Sequence, residues 1–157
     1  MEESVRKIII VLFFFLSSCD EKIFSVESLV TDFIEKKCNI SKSCIVSIQT
    51  LVSFKWSKMY VFRYDASDEQ IEQVLHQKIN EHHEFTKKWL FMYDDSIVHF
   101  EEHEIDFERP LEGELVFSMG NDEKFVEYTP TTAVFIIVKK KWGERYYYKM
   151  EPILNYN

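Results

Sequence analysis

Hydrophobic residues along this chain recur with two different periods, and each period marks a different kind of element. In SVESLVTDFIEKK, Val26, Leu29, Val30, Phe33 and Ile34 return every three or four residues with charges opposite. That spacing predicts an amphipathic helix ending near Cys38 and Asn39. ASDEQIEQVLHQKI predicts a second helix, with Ile71, Val74, Leu75 and Ile79 on its apolar face. Ser67 stands at its N-cap and Gln70 three residues on, where a reciprocal capping partner belongs. Elsewhere the period falls to two. IVSIQTLVSF puts Val46, Ile48, Val52 and Phe54 on alternate positions, and SKMYVFRY alternates aromatics. Both predict strands, with Trp56 as an anchor at the corner between them. Three longer segments read as hairpins: WLFMYDDSIVHFEE turning at Asp94 and Asp95, LEGELVFSMGNDEKFVEY turning at Gly120 to Asp122, and TAVFIIVKKKWGERYYYKM turning near Trp142 and Gly143. Two helices in the N-terminal half followed by a run of strands predict an α+β domain. Its helices would pack on one face of a mainly antiparallel sheet of hairpins.

One segment has no period at all. Ile8 to Leu16 is continuously apolar, yet crossing a hydrocarbon core of about 30 Å takes roughly 20 helical residues. Arg6 and Lys7 precede it and Ser17 and Ser18 follow, the charged, apolar, small-residue order of a secretory signal. Its end, LSSC at 16–19, resembles the lipobox of bacterial lipoproteins: aliphatic, small, small, cysteine. The resemblance covers only the first twenty or so residues. It implies that residues 1–18 are a cleaved signal peptide and that Cys19 is acylated. Residues 19–157 would then form one domain anchored to a bacterial membrane on its periplasmic face. Several acyl chains hold firmly because each buried CH₂ contributes about 0.8 kcal/mol. Asp20 directly after the cysteine is similar to the signal that retains such proteins on the inner membrane, with the outer membrane left as the alternative.

Composition narrows the partners. The chain carries a net charge of −8, which disfavours nucleic acid, whose binding rests on neutralised phosphates, and suits a basic protein. Glycines are few, aromatics are many, and no repeat or low-complexity linker divides the chain. Cys38 and Cys44, in CNISKSC, are spaced for a small disulfide loop in an oxidising compartment. The spacing is not the C-x-x-C of a redox or metal site.

Four constellations invite a chemical reading. HFEEH at 99–103 matches the H-x-x-E-H pattern of inverted zinc proteases. On a strand, though, its histidines lie about 13 Å apart, too far for one zinc with bonds near 2 Å. His76, His82 and His83 add no ligand spacing, so no metal site is assigned. The segment from Glu101 to Glu114 is strongly acidic, with Arg109 as its only strong base. It reads either as a solvated edge or as a docking surface for a basic partner. On the second reading Glu101, Glu102, Glu104, Asp106 and Glu108 make the contacts, with Phe107 as an apolar anchor. A carboxylate pair for glycoside hydrolysis could also lie here, but no accompanying signature supports it. KKKWGERYYYK at 139–149 alternates bases with aromatics, as strand packing or as a surface for an anionic glycan or lipid headgroup.

No G-x-S-x-G, P-loop or dinucleotide fingerprint is present, and no cysteine is left over as a nucleophile, so no catalytic residue and no cofactor are assigned. In layout and setting the chain resembles the lipid-anchored or periplasmic immunity proteins of bacteriocin producers, the pesticin-immunity type among them. That implies an inhibitor of an envelope-targeting toxin or lysozyme-like enzyme. The alternative is a structural or sensory envelope lipoprotein with a resident protein partner.

Overall fold

The computed structural model describes residues 25–38, 44–79, 83–106, 108–120 and 122–153. The predicted leader, Cys19, Asp20, Phe107, His82 and the turn residue Asn121 lie outside the described residues. Within them the chain is an α+β mixture of three helices and eight strands. In order these are α1 (Val26–Lys37), β1 (Cys44–Ser47), α2 (Ile48–Leu51), β2 (Lys58–Phe62), α3 (Asp68–Leu75), β3 (Lys87–Tyr93), β4 (Ser96–His103), β5 (Leu115–Phe117), β6 (Phe125–Tyr128), β7 (Val134–Trp142) and β8 (Arg145–Pro152).

The strands form two sheets instead of the single one expected. The first has the order β1-β7-β8-β5 and the second β4-β3-β2-β6. All pairings are antiparallel except β5 with β8, which is parallel. Between the sheets lies the larger core, in which Trp89, Phe91 and Met59 of the second sheet meet Phe135, Ile137 and Met150 of the first. Val26, Val30 and Ile34 of α1 belong to this same core. A smaller core holds Tyr60, Phe62, Leu90 and Met92 against Ile71 and Leu75 of α3. β2 and β3 are therefore buried on both faces, and their sequences read as continuous apolar runs.

Local chemistry explains the elements that match the pattern. Ser67 Oγ accepts from Gln70 N–H while the Gln70 side chain accepts from Ser67 N–H, a complete capping box. The β3–β4 hairpin turns at 94–95 with Asp94 at φ 53°, a left-handed position that Asp tolerates. The β7–β8 turn uses Gly143 at φ 62°. Trp56 is buried edge-on against Phe91.

Two expected elements differ. The strand read through Val46 to Phe54 stops at Ser47, and Ile48–Leu51 form one helical turn. There the Ile48 amide donates to Ala133 O at 3.0 Å, and Thr50 Oγ1 donates to Ser47 O at 2.8 Å. The apolar residues 48 and 52 are four apart, which suits a turn of helix as well as a strand. The hairpin read across Gly120 does not form either. β5 goes to the first sheet, where Ser118 N–H extends its pairing to Met150 O, and β6 pairs with β2 in the second. Alternation decides which side chains face inward, and both strands keep that pattern, but it does not name the neighbouring strand.

Cys38 and Cys44 are disulfide-bonded, with Cα atoms 5.6 Å apart, and so tie the end of α1 to the start of β1. Replacing both with Ser should lower the unfolding free energy by about 2 kcal/mol through lost loop closure. The measurement is a urea titration showing a lower midpoint at unchanged slope; an unmoved midpoint would show that other contacts hold this loop.

Candidate functional site

The acidic segment does not lie on one surface. β4 alternates, so His99, Glu101 and His103 share the face turned toward the larger core. At the end of that face stands the N-terminus of α1, whose first amides have no partner inside the helix. Glu101 fills the gap. Its carboxylate accepts from Val26 N–H at 2.9 Å and from Glu27 N–H at 3.2 Å, while Ser25 Oγ takes Ser28 N–H. His99 Nε2 lies 3.3 Å from one Glu101 oxygen and His103 Nε2 lies 3.3 Å from the other. His103 Nδ1 meets the Glu27 carboxylate directly. Lys87, opposite His103 in the β3–β4 register, donates to Leu115 O at 2.6 Å and pairs with Glu27 and Glu114.

The charges are thus interleaved in a half-buried cluster. Burial alone would raise the Glu101 carboxyl, but His103, His99 and the α1 amides outweigh it and hold it at about 2. Burial likewise pulls the His103 imidazolium down, and Glu101 with Glu27 overcomes this to lift it to about 8. Glu27 is lowered for the same reason: contacts with His103 and Lys87 exceed its desolvation.

Glu102 points to the other face. It accepts from His83 N–H and from Thr86 Oγ1, and sits 3.6 Å from Lys88 Nζ. The Lys88 side chain is 2% exposed, and its ammonium donates to His83 O, Thr86 O and Thr86 Oγ1. This clamp shapes the turn at 83–86, where Phe85 takes φ 61° and stays 59% exposed. Sequence reading passed over Lys87, Lys88 and Phe85. The signal available was a lysine pair leading directly into a fully apolar strand.

The predicted contact residues therefore separate into two groups. Glu101 and Glu102 are held within the fold. Glu104 and Glu108 are exposed, and Asp106 accepts from Glu108 N–H and pairs with Arg109 in a local turn. Glu104 borders a groove of about 480 Å³ between the start of α1, the end of β4 and the turn at 111–114. Six carboxylates line it: Glu27, Asp32, Glu102, Glu104, Glu112 and Glu114, with Lys87 and His103 as the bases. Glu104 and Glu112 form no ion pair with a described residue. A second cavity shares Glu102 and Glu104 and reaches Glu84 and Phe85. No group of three metal-ligating side chains occurs among the described residues, and no described helix is long and apolar enough to cross a membrane. No known protein family, curated protein or solved structure matches the chain.

The cluster makes stability depend on pH in a defined direction. His103 is raised from 6.5 to about 8, so its contribution is complete below pH 6.5 and is lost as pH climbs through 8. Glu101 is lowered from 4.5 to about 2, so its contribution is complete above pH 4.5 and is lost as pH falls toward 2. Unfolding titrations should show a maximum between these limits and a fall of about 2 kcal/mol toward pH 9. His103→Gln should flatten the alkaline limb, and an alkaline limb equally steep in that variant would contradict the assignment.

Proposed function

We propose that this chain is a lipid-anchored protein on the periplasmic face of a bacterial membrane, which binds and blocks a basic protein. The partner would be an envelope-targeting toxin or a lysozyme-like enzyme, and the chain an immunity protein or inhibitor. The observation that carries this reading is the acidic groove. Carboxylates from three separate segments converge on one concavity of about 480 Å³, roomy enough to admit basic side chains of a partner. Glu104 and Glu112 are exposed and make no ion pair with a described residue, although Glu112 also accepts from Tyr146 N–H at 3.1 Å. Clustered carboxylates of this kind accelerate encounter with a cationic surface and impose a salt dependence on it. Phe85, in the neighbouring cavity that shares Glu102 and Glu104, supplies an exposed aromatic anchor.

The anchor belongs to the same reading. A lipid on Cys19 would hold the groove close to the bilayer, where an incoming hydrolase must arrive. Mass spectrometry of the protein from its host should find residues 1–18 removed and Cys19 acylated; an intact Met1 with an unmodified Cys19 would remove the anchor and the address together.

The binding test is kinetic. The partner is captured from envelope extracts or toxin-producing neighbours, and its association is followed against salt. Glu104→Lys with Glu112→Gln should slow association by roughly tenfold at low ionic strength and flatten the salt dependence. Both positions are exposed, and a glutamine amide oxygen can still accept from Tyr146 N–H, so the fold is spared, whereas a change at Glu101 would disturb α1 and confound the result. Unaltered association rate and salt slope in the double variant refute the groove as the docking site.

A further inference from the structure

The outer face of the first sheet ends in a basic, aromatic ribbon. β7 and β8 pair along their full length, from Phe135 with Pro152 to Trp142 with Arg145. Their neighbours stop short: β1 pairs only with residues 134–137 of β7, and β5 only with residues 148–150 of β8. The segment before β5 still bonds β8 through Tyr148 N–H to Glu114 O and Gly113 N–H to Tyr146 O, and the hairpin tip beyond Tyr146 projects as two strands. Residues 139–149 hold Lys139, Lys140, Lys141, Arg145 and Lys149 against the single acid Glu144. This strip is cationic in a chain whose net charge is −8.

Alternation sorts these side chains by face. Phe135, Ile137, Tyr148 and Met150 point into the core between the sheets. Ile136, Val138, Lys140 and Trp142 therefore face outward, as do their cross-strand partners Glu151, Lys149, Tyr147 and Arg145. Ile45, paired with Ile136, continues that face and is 53% exposed; Trp142 at the tip is 55% exposed. None of the described helices covers it. The buried residues of α1 and α2 belong to the core between the sheets, and those of α3 lie against the second sheet. Glu151 is already paired with Lys149 at 2.7 Å, while Lys140, Lys141 and Arg145 make no salt bridge with a described residue.

We infer that this face docks on a bilayer containing anionic phospholipid, with Trp142 and Tyr147 at headgroup depth and Lys140 and Arg145 against the phosphates. Exposed cations alone would suit any polyanion. Their combination with exposed Trp142 and the aliphatic row Ile45, Ile136 and Val138 favours a lipid interface, where amphipathic rings settle and apolar side chains are drawn from water. Each cation near an anionic surface contributes about 1 kcal/mol, or roughly fivefold in partition. The inference needs neither the acidic groove nor acylation of Cys19.

The test uses the full chain carrying Cys19→Ser, so that no acyl chain supplies affinity. Its partition is measured by sedimentation with vesicles of phosphatidylcholine alone or mixed with phosphatidylglycerol. The mixed vesicles should bind it more tightly, with affinity falling as salt rises. Lys140→Gln with Arg145→Gln should weaken binding to the mixed vesicles by roughly 25-fold and leave binding to phosphatidylcholine, including any contribution of the leader, unchanged. In the protein without those two changes, doxyl-labelled lipid should quench tryptophan emission. That quenching reports Trp142, because Trp56 and Trp89 are buried. The proposal is overturned if the double variant partitions like its parent, or if Trp142 is not quenched on mixed vesicles. It is also overturned if the variant loses binding to duplex DNA or heparin but not to the vesicles, since the face would then serve a soluble polyanion.

Discussion

One carboxylate joins the two halves of the architecture. Glu101 stands on β4, in the second sheet, and accepts the first two amides of α1, whose apolar face fills the core between the sheets. A helix N-terminus carries partial positive charge and several unsatisfied donors, so an acid placed there is stabilising twice over. The same oxygens hold His99 and His103 on either side, and His103 returns to Glu27 in the first turn of the helix. Loss of this group would leave two amides without an acceptor in a half-buried place and His103 with Glu27 alone, a larger penalty than the loss of an ordinary surface acid. The position of α1, and with it one wall of the acidic groove, depends on it.

Much of the fold could be read from the pattern of residues. The Ser67–Gln70 pair announced α3, the two aspartates marked the β3–β4 turn, and Gly143 marked the β7–β8 turn. Each signal acts within a few residues of itself, which is why sequence can carry it. What could not be read were pairings between distant segments. β5 keeps the alternation expected of a hairpin strand yet joins β8, because inward-facing Leu115 and Phe117 are satisfied by either neighbour. Ile48 and Val52 fit two periods at once, and only the hydrogen bond from Ile48 to Ala133 selects the helical turn.

The candidate site was partly legible for the same reason. Glu101 to Glu114 stood out as acidic, but composition does not distinguish a carboxylate facing a helix end from one facing water. On a strand that difference is one residue. Glu101 faces inward, Glu102 supports the turn at 83–86, and beyond the end of β4 Glu104 is exposed. The groove also draws Asp32 and Glu112 from segments far apart in the chain, and no local pattern could have assembled them. Net charge proved equally coarse, since a value of −8 conceals both a carboxylate-lined concavity and a cationic ribbon.

The pairing of β1 with β7 has a consequence for how the chain assembles. Cys44 lies opposite Ile137, so β1 must wait for a segment about ninety residues later before it gains its strand neighbour among the described residues. Loop-closure entropy has to be overcome before such a distant contact returns anything, which places this topology among slow folders. The β3–β4 and β7–β8 hairpins can form locally and early. The strand β1, with the helix and crosslink next to it, is then the last piece to be seated, and closure waits until residues 134–137 have been made.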